Sequence, residues 1–78
     1  MKAEIVGKRV KELIQNRKIN VEELAKELGI SKKDLEDKLE GKEEFFVSEV
    51  INLTRLFQLD INTVNEIFFK EDKDELGV

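Results

Sequence analysis

Ile19-Asn20-Val21-Glu22-Glu23-Leu24-Ala25-Lys26-Glu27-Leu28-Gly29-Ile30-Ser31 decides how this chain folds. Asn20 carries a short side chain that accepts from the backbone N–H groups of a first helical turn. Glu23, three residues on, completes a capping-box pattern. Val21, Leu24, Ala25 and Leu28 follow at i, i+3, i+4 and i+7, which is one face of a helix. Gly29 then ends the helix, because glycine enters the left-handed conformation without a Cβ penalty. Ile30 points back at the core. Ser31 caps the next helix, with Asp34 at the capping-box position.

Working outward, the helix after Ser31 runs to about Leu39 and holds only two apolar residues, Leu35 and Leu39. It is therefore mostly exposed. Gly41 and Lys42 open a loop through Glu44, which Phe45, Phe46 and Val47 pin to the core. A fourth helix is expected over 48–58, with Val50, Ile51, Leu53, Leu56 and Phe57 inward. Leu59 and Ile61 flank a turn, and Asn62 caps a fifth helix containing Val64, Ile67 and Phe68. On the other side, Ile5, Val6, Val10, Leu13 and Ile14 form one stripe of a first helix over 4–17. Gly7 lies inside that pattern, at a cost of up to ~1 kcal/mol against alanine. It permits close packing or marks a frayed first turn. The expectation is an all-α bundle of about five helices over 1–69, followed by an acidic tail over 70–78.

Composition narrows the function. The chain has 78 residues, no cysteine, no histidine and no proline. One small domain follows. Disulfide and thiol chemistry are excluded, and a zinc site would need carboxylates alone. No Gly-rich phosphate loop, calcium-loop spacing or paired-carboxylate pattern stands out, so an enzyme is not expected, nor a cofactor, a metal or a small-molecule substrate. No apolar run is long enough for a bilayer, and Met1 opens no signal peptide, so the expectation is a cytoplasmic protein without membrane contact. The net charge is -4, unevenly spread: residues 1–42 carry 11 Lys/Arg against 9 Asp/Glu, and residues 43–78 carry 3 against 9.

A short exposed helix directly after a capped helix and a glycine turn is the arrangement of a helix-turn-helix. The run Leu24-Ala25 to Leu28-Gly29-Ile30-Ser31 resembles the Cro/repressor-type (XRE-like, lambda-repressor-like) DNA-binding family. The spacing continues through Leu35, Leu39, Gly41 and Lys42 to Glu49-Val50. The closing Ile67-Phe68-Phe69 resembles a subgroup of small phage-encoded members. The likeness spans about residues 4–69. It implies a sequence-specific transcriptional regulator that binds double-stranded DNA as a homodimer, with residues 32–39 as the recognition helix in the major groove. The fifth helix and Phe69 are the expected dimer contact, and Phe46 and Phe69 are the phenylalanines expected to be exposed, hence candidate subunit contacts.

Carried onto this chain, the DNA-facing residues are Arg17, Asn20, Ser31, Lys32, Lys33, Glu36, Asp37 and Lys42. Lysines at a helix start reach phosphates or guanine edges, and a glutamate accepts from a cytosine amino group. Each residue also has a plainer reading. Asn20 and Ser31 are caps. Lys33, Glu36, Asp37 and Lys38 are spaced for surface ion pairs, and Arg9, Arg17 and Lys18 are solvated cations. The chain also departs from the family pattern. Val21 stands where a phosphate-touching glutamine is usual, Asp37 where a basic residue is usual, and Glu43 and Glu44 occupy a backbone-approaching loop. These departures favour an alternative, a protein-interaction module (antirepressor or assembly domain) on the same fold.

Overall fold

Helix α1 (Ala3–Asn16) turns Val6, Val10 and Ile14 inward, with Ile5 and Leu13 half-buried beside them. The computed structural model of the protein describes residues 2–70. The acidic tail expected over 70–78 therefore falls outside the described residues, apart from Lys70. Helices α2 (Val21–Leu28), α3 (Lys32–Leu39), α4 (Val47–Leu56) and α5 (Ile61–Val64) follow in order. Helix α5 widens directly into a π-helical segment, Asn65–Phe69. No strand occurs among the described residues. The protein is thus a compact all-α globule of five helices.

The helix starts are chemically plain. Asn20 Oδ1 accepts from the Glu23 N–H at 3.1 Å, and Ser31 Oγ accepts from the Asp34 N–H at 3.0 Å. At α4 the partner comes from inside the helix: Glu49 Oε1 accepts from the Phe46 N–H at 2.8 Å. At α5 the cap is Asp60, accepting from the Thr63 N–H at 2.8 Å, and not the expected Asn62, which lies inside the helix. The Thr63 hydroxyl and then the Thr63 N–H hold the Asp60 carboxyl below the usual carboxylate range.

The first four helices end alike. Each chain reversal passes through one left-handed residue, Lys18, Gly29, Gly41 or Gln58. The amide after it reaches back to a carbonyl five residues earlier: Ile19 to Ile14, Ile30 to Ala25, Lys42 to Asp37, Leu59 to Thr54. This is the Schellman bond pattern, which satisfies carbonyls left over at the helix end. The residue after the left-handed position is apolar in three of the four cases, and Ile19, Ile30 and Leu59 all pack against the core.

One core joins the elements, with Phe68, Leu35, Leu53 and Val10 its most deeply buried large side chains. Phe45 and Phe68 meet edge to face, centroids 6.4 Å apart. Helix α1 lies across the end of α3 so closely that a Cβ on Gly7 would stand 2.5 Å from the Lys38 carbonyl oxygen. Close packing is therefore the reason for Gly7. Several expected core positions are not core. Ile51 and Leu56 are exposed, because α4 buries only the stripe Glu49, Val50 and Leu53. Phe45 pins the loop, whereas Val47 faces solvent, and so does Phe46, as its reading as an exposed phenylalanine expects.

Candidate functional site

Helices α2 and α3 meet across a three-residue turn, Gly29-Ile30-Ser31, with Gly29 at φ 74°. Leu24, Ala25 and Leu28 of α2 and Leu35 and Leu39 of α3 are buried, which fixes the pair against the core. The opposite side of α3 is open: Lys32, Lys33 and Glu36 are exposed, and Asp37 is partly covered. Ser31 sits at the head of that face. Its oxygen accepts from Asp34, which leaves its O–H free to donate.

Every lysine on this surface faces a carboxylate. Lys33 pairs with Asp37 one turn on at 3.0 Å, Lys32 with Glu22 of α2 at 3.4 Å, and Lys42 with Glu40 at 3.2 Å. The hydrogen bond to Asp37, and then its charge, raise the Lys33 ammonium above the ordinary lysine range. The spacing expected for a Lys33–Asp37 surface pair is thus realised. Residues 20–44 together hold five lysines and nine carboxylates, so the basic excess of the first half lies in α1 and its flanks.

The structure brings Ser31, Lys32, Lys33, Glu36 and Asp37 onto one helix, with Lys42 just after it. Asn20 contributes as the α2 cap. Arg17 is engaged elsewhere: its guanidinium donates to the Phe57 carbonyl at the end of α4 and lies 5.6 Å from that ring's centroid. It braces the last turns of two helices, where a cation also meets the negative end of a helix dipole. Arg9 has a similar task and is not simply solvated. It donates to the Lys70 carbonyl at 2.8 Å and ties the π-helical segment to α1.

Lys38 departs furthest from its expected place. It is not a surface ion-pair partner. Its side chain is 4% exposed, and its ammonium lies 2.9 Å from Glu49, itself 5% exposed. It also donates to the Glu44 carbonyl at 3.1 Å and sits 4.2 Å from the Phe46 ring centroid. One lysine therefore joins α3, the following loop and the start of α4. The signal was available: position 38 falls at i+3 from Leu35, on the buried stripe. Around this pair lies a groove of about 520 Å³, bounded by Ile30, Asp34, Glu43, Glu44 and Phe46.

Among the described residues, no group of three or more Asp or Glu is placed to hold a metal ion. No described helix is long and apolar enough to cross a membrane. Residues 8–52 match the model of a family described as a domain of unknown function (DUF8494), and the chain belongs to that family. The matched span runs from α1 into α4. It includes both lysine-bearing turns of α3 and the Lys38–Glu49 pair. No curated protein and no solved structure matches the chain.

Proposed function

We propose that this DUF8494 member is a sequence-specific DNA-binding regulator, in which α2, the Gly29 turn and α3 act as a lambda-repressor-like helix-turn-helix. One observation carries the reading. A two-turn helix, capped by Ser31 and seated on Leu35, Lys38 and Leu39, leaves a side chain face open from its first residue. Such a helix presents Lys32, Lys33 and Glu36 to base edges and phosphates in a major groove. The ion pairs do not forbid this. Lys32–Glu22 and Lys42–Glu40 are exposed on both sides, and pairs of that kind contribute about 0–1 kcal/mol. A DNA phosphate is a strong competitor for these lysines at low salt, because the ammonium releases cations condensed on the DNA. A single two-turn helix touches few bases, so two copies on a palindrome complete the site.

The test is selection from a random duplex pool, followed by salt titration of the winner. The expected result is a palindromic site whose affinity falls steeply with salt. Lys33→Glu should abolish specific binding and leave the domain folded, since the Lys33 side chain is 82% exposed and loss of its surface pair with Asp37 costs little. A folded sample that enriches nothing at low salt would refute the proposal.

A second reading has its own observation. The nine carboxylates of residues 20–44 oppose a phosphate backbone, and they suit a surface that binds protein instead. Enrichment of no duplex, with capture of a protein partner that salt does not release, is the outcome this reading requires.

A further inference from the structure

The groove beside α3 lies on the flank that carries Asp34 and Lys38, not on the outer face proposed to read DNA. Its floor is the buried Lys38–Glu49 pair, which cancels its own charge. Ile30 and Phe46 form apolar walls, and Phe46 is 67% exposed. Asp34, Glu43 and Glu44 stand exposed at the rim. None of the three has a salt-bridged cation among the described residues, although Lys33 lies near enough to Asp34 and Glu43 for their charges to act on it. Val47 and Ile51 of α4, one helical turn apart and 72% and 51% exposed, are not among the residues that line the groove.

We infer that this groove docks a cationic amphipathic segment of a partner protein, with an arginine or lysine seated in the groove and its apolar neighbours on Ile30 and Phe46. The charge fixes the choice of occupant. Three carboxylates with no salt-bridged cation, and only the nearby exposed Lys33 against them, leave the rim net negative, so it repels an acidic segment or a nucleic acid and attracts a basic one. The shape agrees with a long cationic side chain, whose methylene stem lies on apolar walls while its head stays at a polar rim. The outer face of α3 takes no part. Failure of DNA binding leaves this proposal standing, and its failure leaves the DNA reading untouched.

The experiment titrates the isotope-labelled full chain with a synthetic helical peptide carrying leucines on one face and arginines on the other. A control peptide has glutamine in place of arginine. The expected shift changes gather at Ile30, Asp34, Glu44 and Phe46, and the control peptide binds more weakly. Glu43→Gln with Glu44→Gln should weaken binding roughly tenfold, a loss of about 1.4 kcal/mol. Glu12→Gln with Glu66→Gln removes the same charge from other exposed sites and should leave binding unchanged. Equal losses in the two double variants would overturn the proposal, as would shifts centred elsewhere or equal binding of the control peptide. Self-association of the chain through this groove, seen by sedimentation without peptide, would also overturn it in favour of a second copy.

Discussion

At the scale of single residues, Lys38 and Glu49 matter most. Removing two charges from water costs several kcal/mol each, and the pair recovers this through a 2.9 Å contact and bonds to the Glu44 carbonyl and the Phe46 N–H. Lys38→Met should therefore destabilise by about 3–5 kcal/mol, since it leaves a carboxylate buried without its partner. Adding Glu49→Gln should restore most of that loss. An amide oxygen still accepts from Phe46, and no charge remains inside. Urea unfolding of the two variants measures the difference, and a double variant no more stable than Lys38→Met would show that the charge is not what matters. The pair also marks where residue type misled the sequence reading. Lysine and glutamate at helical spacing imply a solvated surface, yet position 38 shares the Leu35 stripe and position 49 precedes Val50. Periodicity was right there and polarity was not.

At the scale of elements, the sequence showed its glycines and hid its other terminators. Gly29 and Gly41 were legible because glycine favours positive φ, and both occupy it. Lys18 and Gln58 adopt the same conformation at φ 54° and 52°, and nothing in their side chains announces it. For an L-residue that state costs about 1–2 kcal/mol. Tertiary packing of Ile19 and Leu59, the apolar residues that follow, holds them there. Gln58→Gly should accordingly raise stability, by about 0.5–1 kcal/mol once the greater freedom of the unfolded glycine chain is subtracted. Thermal unfolding checks the sign, and a lower melting temperature would mean that the Gln58 side chain itself contributes. The α2–α3 pair was legible for the opposite reason: caps, turn glycine and apolar spacing all agreed. The fifth helix was less so. Asp60 and Asn62 are both good caps two residues apart, and no local pattern distinguishes a π-helical turn from an α-helical one.

At the scale of the whole molecule, the large exposed apolar side chains among the described residues lie around α4 and at the C-terminal end. Phe46 lines the acidic groove, and Val47, Ile51 and Leu56 are exposed along α4. Ile61 and Phe69, 70% and 59% exposed, flank the buried Val64, Ile67 and Phe68 at the C-terminal end. Arg9 holds that end to α1 through the Ile67 and Lys70 carbonyls, so the second region is built on braced backbone. A symmetric dimer needs one patch that complements itself, and the apolar pair Ile61 and Phe69, bordered by both acidic and basic residues (Asp60, Glu66 and Lys70), meets that condition better than the acidic groove does. We propose that the dimer required by the DNA-binding reading forms through Ile61 and Phe69. Phe69→Ser should convert it to monomers without loss of fold, because the ring lies outside the core. Specific DNA affinity should fall with it, since each half-site then binds alone, while the peptide groove should be unaffected. Sedimentation equilibrium on wild type and variant decides the matter. A wild-type monomer at high protein concentration removes Phe69 from the interface. A dimer that survives Phe69→Ser moves the contact to another surface.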